Sequence, residues 1–201
     1  MKMYSAILVL AATQLFLPQC NQLSPQNKPR TLSVVQAKAM VLAHDFFHAR
    51  WNQGGGGAVH QYKTSAEDDF PTVLDQATGL MWQRVGSGKP QNHADAIAYI
   101  KALNASKSGG FDDWRLPTLE EAMSLMTSPE HGQGGQIVTS DISQKGVYHI
   151  DKSLDISGAY FIWTADLESS TQAWVVYYLD GVCAPESLQF NSYVRAVRAS
   201  R

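Results

Sequence analysis

Three sets of side chains in this chain have the types that catalysis or metal binding uses. His44 and His48 are four residues apart with Asp45 between them, so on a helix both imidazoles share one face. That spacing can hold zinc, but the helical zinc-protease pattern places a glutamate directly after the first histidine. Here that position is Asp45, and no third ligand is evident, so surface or packing roles are expected for both. Glu120 and Glu121 are adjacent carboxylates, the raw material of acid–base chemistry. They fall in the first turn of an expected helix, where the helix dipole favours negative charge, and that placement explains them. The third candidate is Cys183. A reactive thiol needs a histidine or an electropositive setting, and the adjacent sequence supplies neither. The other cysteine, Cys20, sits in the N-terminal segment, so no disulfide framework or zinc cluster is expected. The expectation is a non-enzymatic chain with no catalytic residue, metal or cofactor.

Binding is the remaining chemistry, and loops carry it on a rigid scaffold. Trp163, Thr164, Asp166 and Glu168 follow the end of an expected strand. Asp180, Glu186 and Asn191 lie before the last strand. These seven are the candidate ligand residues.

The elements that must position them follow from the chain's patterning. Its 201 residues, 44% of them hydrophobic and 17% charged, suit one globular domain with extra segments. A net charge of -2 speaks against nucleic acid as partner, because phosphate binding needs a basic face. Arg195, Arg198 and Arg201 cluster near the C-terminus and read as a strand end with one structural ion pair. Residues 1–20 read as an export signal: a Lys2 start, then an apolar stretch from Tyr4 to Leu17 that is shorter than the about 20 residues a membrane span needs. Ordinary cleavage near Ala11-Ala12-Thr13 and a lipoprotein-type cleavage before Cys20 are both open. The second would tether the chain to a membrane.

Residues 21–69 read as linker, helix and joint. A helix is expected over 31–51, with Val35, Ala39, Leu42 and Phe46 as its apolar stripe. The run Gly54-Gly55-Gly56-Gly57 reads as a flexible joint. Residues 70–201 form the main domain. A hairpin of two strands over 73–83 turns at Asp75 to Gly79. A helix over 92–104 starts at Asn92, and another over 118–126 starts at Thr118, with Glu121 completing a capping box. Residues 127–157 are expected as a long irregular loop. Strands follow over 159–164, 173–179 and 192–199, with Asp180-Gly181 as a hairpin signal. In the middle strand Trp174, Val176 and Tyr178 alternate with Val175, Tyr177 and Leu179, so both of its faces are buried. Helices early and strands late predict an α+β fold.

Several of these residues also carry a family resemblance. The stretch Thr72-Val73-Leu74-Asp75-Gln76-Ala77-Thr78-Gly79-Leu80-Met81-Trp82-Gln83-Arg84, the run Asp113-Trp114-Arg115-Leu116-Pro117-Thr118 with Glu121, the pair Ala173-Trp174, and Tyr193-Val194-Arg195-Ala196-Val197-Arg198 resemble the Lcl C-terminal domain family. That family is named for the C-terminal domain of bacterial collagen-like adhesins. The resemblance implies a C-type-lectin-like domain, related in fold to formylglycine-generating enzymes, with two helices on a twisted antiparallel sheet and a separate N-terminal helix before it. It implies a location outside the cytoplasm (periplasmic, outer-membrane associated or secreted) and a glycan, polymer or protein ligand. The collagen-like stem through which such adhesins trimerise is missing here, so the oligomeric state stays open. Members often carry cysteines where this chain has Ile100 and Ala196, which implies an apolar proximity of those two residues in place of a disulfide.

Within the shared pattern the residue types suit architecture. Trp82, Trp114 and Trp174 anchor a core. Arg115 beside Asp112 and Asp113 is expected to form a bidentate pair. Pro117 and Thr118 start the second helix, and Arg195 and Arg198 brace the last strand. Calcium of the lectin kind needs hard oxygen ligands, and the Glu-Pro-Asn and Trp-Asn-Asp signatures are missing. The function expected is a non-enzymatic binding or adhesion-type module. The alternatives are an oxidase relative of the formylglycine-generating type, which would need a copper-binding cysteine pair or an iron-binding histidine set, and a structural subunit of an envelope complex.

Overall fold

The structure is a computed structural model that describes residues 28–65, 69–128, 134–136 and 147–200. The expected export signal, Cys20, His131 and Arg201 lie outside these residues.

Helix α1, Val34–Ala43, begins at Ser33, whose hydroxyl and the Gln36 side chain form a reciprocal capping box. It stops well short of residue 51, because Asp45 turns the chain at a φ of 53°. His44 and His48 therefore share no helical face. The expected stripe is corrected as well. Ala37 and Val41 are buried, whereas Val35 is 78% and Leu42 49% exposed. Ala37 and Val41 join a core cluster with Leu119, Ala122 and Met123, and that packing selects the inward face. Of the expected stripe only Phe46, beyond the helix, is buried.

Among the described residues nine strands follow in three antiparallel sheets. Strands β1 (Tyr62–Thr64), β2 (Thr72–Asp75), β3 (Leu80–Gln83) and β9 (Val197–Ala199) form the first, in the order β1-β2-β3-β9. Strands β4 (Gly134–Gln136) and β5 (Val147–Asp151) pair with each other, and β6 (Phe161–Leu167), β7 (Gln172–Tyr177) and β8 (Val182–Ser187) form the third sheet. Between them run α2 (His93–Ala105), capped by Asn92, and α3 (Leu119–Ser124), capped by Thr118 with Glu121. The hairpin of β2 and β3 pairs Thr72 with Gln83 and Asp75 with Leu80, where turn chemistry predicted it.

β7 is the middle strand of its sheet, and its alternation feeds two cores. Trp174, Val176 and Tyr178 point into a core shared with α1, α3, Trp82 and Leu80. Ala173 and Val175 point into a second core with α2 and Trp114. Ile100 and Ala196 both belong to that second cluster. This is the α+β plan expected, with helices on antiparallel sheet. The N-terminal helix is a distinct element that contributes to the domain's first core, and the indole of Trp174 donates to the Leu32 carbonyl at 2.9 Å.

Two segments read as irregular are ordered. Residues 147–157 carry β5 and bury Tyr148, Ile150, Leu154 and Ile156, so the expected loop supplies core. Its strand is short and its alternation covers few residues, which hid it. The glycine run is a packed turn. A Cβ on Gly55 would lie 2.6 Å from the Phe46 carbonyl oxygen, and Gly57 has a φ of +71°. Glycine here permits close backbone approach. Among the described residues no helix is long and apolar enough to cross a membrane.

The glycine run can be tested by substitution. Gly55→Ala is expected to cost about 1–3 kcal/mol, as overpacking does. Gly54→Ala, where a Cβ meets nothing within 4 Å, should stay within about 0.5 kcal/mol of the parent. Urea denaturation of both variants checks this, and equal effects would mean the joint is not packed.

Candidate binding site

The start of α3 is the most heavily bonded place in the structure. Thr118 Oγ1 accepts from the Glu121 N–H, and Glu121 Oε2 accepts from the Thr118 N–H. Both oxygens of Glu121 also take the Arg115 guanidinium at 2.6 Å. The expected bidentate partner of Arg115 is thus corrected from Asp112 and Asp113 to Glu121, which the capping box turns back toward it. Asp113 instead takes Arg198 Nε at 2.6 Å, and the Arg198 guanidinium stacks on Phe111, 3.7 Å from its centroid. Asp112 is exposed, 4.0 Å from Lys107 Nζ. Arg195 is wholly buried, and its guanidinium donates to the carbonyls of Gln83, Arg84 and Asp155. Burial pulls its pKa down to about 10, so it remains charged near neutrality. Trp82 and Trp114 are buried, and the Trp114 indole donates to the Ser108 carbonyl at 2.9 Å. Pro117 contributes its carbonyl to the Ala165 N–H at 2.7 Å.

The seven expected ligand residues do not gather at one place. Trp163, Thr164 and Asp166 are all 0% exposed. The Trp163 indole donates to the Gln91 carbonyl, and the Thr164 hydroxyl donates to the Trp174 carbonyl. Asp166 accepts from the N–H groups of Arg30 and Leu119 at 2.5 and 2.7 Å. Burial raises its pKa against the opposing effect of these bonds. β6 runs past its expected end at residue 164 to Leu167, which places Asp166 in the strand; Trp163 and Thr164 lie in the part already expected as strand and face inward. Glu168 is half-buried in the turn between β6 and β7, and Glu186 accepts from the Tyr177 hydroxyl at 2.8 Å. Asp180 is exposed at the opposite end of β7, and Asn191 is exposed between β8 and β9. The sequence also missed that His48 meets Cys183: its Nε2 lies 3.3 Å from the Cys183 N. Burial lowers the pKa of His48 to about 4 and pushes the Cys183 thiol up to about 12, so this pair holds a neutral ring and a protonated thiol.

A different set of residues surrounds a pocket of about 240 Å³, lined by Gly56, Ala58, Val59, His60, Tyr62, Met126, Thr127, Ser128 and Asp151. The packed glycine turn and β1 form one wall. The end of α3 and the last residue of β5 form the other. His60 Nδ1 lies 2.7 Å from Asp75 Oδ2, and Nε2 lies 2.8 Å from the Ser124 carbonyl oxygen. Both partners are acceptors, so both ring nitrogens are engaged by them. Asp75 also accepts from the Thr78 hydroxyl and from the N–H groups of Gln61 and Ala77. Burial acts to raise the Asp75 pKa, and these bonds outweigh it, leaving it below the usual carboxylate value. The hydroxyls of Tyr62 and Thr127 are enclosed and have no hydrogen-bond partner among the described residues. Burial, then the charges of Asp75 and Asp151, hold the Tyr62 phenol well above its ordinary pKa, so it keeps its proton. The alternation His60, Tyr62, Thr64 was the one sequence signal for this strand. A second depression, of about 350 Å³, lies over Phe111, Asp113 and Arg198, but those two charges neutralise each other.

This geometry defines an α+β domain of helices on antiparallel sheets, with its polar cleft set where an N-terminal segment joins the main sheet. The family model of the Lcl C-terminal domain matches residues 71–198, and the chain belongs to that family. No curated protein matches the chain. The pocket straddles the boundary of the match: Gly56 to Tyr62 lie before it, and Met126 to Asp151 lie within it.

The Asp75 pair carries a pH dependence. An unfolded aspartate titrates near about 3.9. The folded value is lower, so the stabilisation is complete above the unfolded pKa and is lost as pH falls through the folded one. Asp75→Asn is expected to lower stability by about 1.5–3 kcal/mol at pH 7, with the gap to the parent closing below about pH 4. Urea denaturation at pH 7, 5 and 3 measures it. A gap that does not change with pH would show that Asp75 contributes no charge.

Proposed function

We propose that this chain is an extracytoplasmic, non-enzymatic binding module of the adhesion type, taking a glycan, polymer or protein ligand. The observation that carries the reading is the pocket: a concave site on packed elements with hydroxyls that have no partner among the described residues. The family's association with bacterial adhesins and the export-like start support a location outside the cytoplasm. The state of Cys183, the only cysteine among the described residues, supports the non-enzymatic part, since a thiol with a pKa near 12 supplies neither a nucleophile nor a ready copper ligand. The full chain should retain specific ligands on a glycan array or in a pull-down from an envelope extract. Tyr62→Phe should weaken that retention. A blank result in both assays would sink the reading.

One observation favours the second reading, a subunit of an envelope assembly. The outward face of α1 exposes Val34, Val35 and Leu42, a row of apolar side chains on a helix that also packs inward. Light scattering on the full chain tests it: self-association abolished by Val35→Ser with Leu42→Ser supports this face as a contact. A monomer at all concentrations, with no partner recovered by the parent and lost by the double variant, would eliminate it.

A further inference from the structure

We propose that the pocket beside β1 binds a primary ammonium group on a short alkyl stem, with Asp151 as its counter-charge and the Tyr62 and Thr127 hydroxyls as acceptors. This rests on the pocket being the binding site.

The argument starts from which polar groups the protein has already committed. His60 donates from both ring nitrogens, to Asp75 and to the Ser124 carbonyl. Both of its ring nitrogens are therefore committed before any ligand arrives. No lysine or arginine lines the pocket among the described residues. An anion would meet the Asp151 carboxylate with no lysine or arginine among the described lining residues to offset it.

The uncommitted capacity is of the opposite kind. Asp151 is 6% exposed, and Oδ1 accepts from the Ser153 N–H at 2.7 Å. One protein donor leaves a carboxylate with most of its acceptor capacity. Tyr62 and Thr127 each hold an enclosed hydroxyl without a partner among the described residues. A buried polar group in that state is costly until a ligand satisfies it. One carboxylate and two hydroxyls suit a group with a positive charge and three hydrogens, which is what an ammonium offers.

The remaining wall suits the stem. Met126 and Ala58 are apolar, Val59 stands 82% exposed at the rim, and the Tyr62 ring stacks on His60 at 5.0 Å. A volume of about 240 Å³ accommodates a short chain. A neutral alcohol would fit the same space but leave Asp151 without a counter-charge. That difference separates the ligand classes.

The test titrates the full chain with n-butylammonium chloride, 1-butanol and sodium butyrate at one pH and ionic strength, followed by NMR. The ammonium should bind about ten-fold or more tighter than the alcohol, because charge-assisted hydrogen bonds are the stronger kind, and butyrate should not bind. Asp151→Asn should erase the advantage of the ammonium over the alcohol. Tyr62→Phe should weaken ammonium binding by about three-fold or more without lowering the melting temperature, since the lost hydroxyl has no protein partner. Nα-acetyl-lysinamide distinguishes the source: affinity at least equal to butylammonium assigns a lysine side chain, and exclusion assigns a free amine. Butylammonium binding no tighter than butanol, or unchanged in a folded Asp151→Asn, would overturn the proposal. If Asp151→Asn does not fold, the alcohol comparison and Tyr62→Phe decide it. A ligand retained on the array and weakened by Tyr62→Phe, together with a null butylammonium titration, would remove the ammonium assignment and leave the binding-site reading standing.

Discussion

The carboxylates at the start of α3 hold this structure in register. Asp166 on β6 caps the Leu119 N–H while also taking the Arg30 N–H from the N-terminal segment. Glu120 takes the Arg30 guanidinium and lies 3.3 Å from His44. Glu121 closes its own capping box and clamps Arg115. Arg115 in turn exchanges backbone hydrogen bonds with Val197 of β9. Two acids on the first turn of α3 and one on β6 thus tie the N-terminal segment, β6 and the last strand to a single six-residue helix. A helix that short is not stable by itself. Each acid is buried, so losing one partner leaves an uncompensated polar group, which costs more than the bond contributed.

The same constraint places the pocket. α3 ends at Ser124, whose carbonyl receives His60. Met126, Thr127 and Ser128 then form the pocket's inner wall. His60 is anchored on its other side by Asp75 at the end of β2. The cleft is therefore bounded by the end of α3 and the hydrogen-bonded turn at Asp75, one at each side of an imidazole ring.

Much of this was legible from the residue order. The capping signals at Asn92 and Thr118, the turn from Asp75 to Gly79, and the two-faced alternation of β7 each rest on local chemistry, and each matched the structure. The partners of Arg115, Arg198 and Asp166 were not legible, because they are fixed by tertiary proximity between residues up to 136 apart. The direction of α1 failed for a related reason. Its ten residues carry apolar side chains on two faces, and only packing on α3 decides between them. The pocket was missed because its residues come from β1, the end of α3 and β5. The first and last of these are short strands with little periodicity, and Tyr62 and Thr127 show no distinctive spacing. Three of the candidate ligand residues, Trp163, Thr164 and Asp166, are core: the first two sit in the expected strand itself, and the third in the part of β6 beyond it.

The junction at Thr31 has a mechanical consequence. Thr31 forms a parallel bridge with Leu167. The Leu32 N–H donates to the Leu167 carbonyl at 2.8 Å, and the Leu167 N–H donates to the Arg30 carbonyl at 3.0 Å. A pull applied at the N-terminal side of this bridge runs along the strand direction and loads both hydrogen bonds together, with Asp166 holding the Arg30 N–H beside them. The bonds share the load in shear and do not open one after another like a zipper. Tension is thereby delivered to β6 in the middle of the fold, and the edge strand β1 with the pocket it lines lies downstream of the load-bearing clamp.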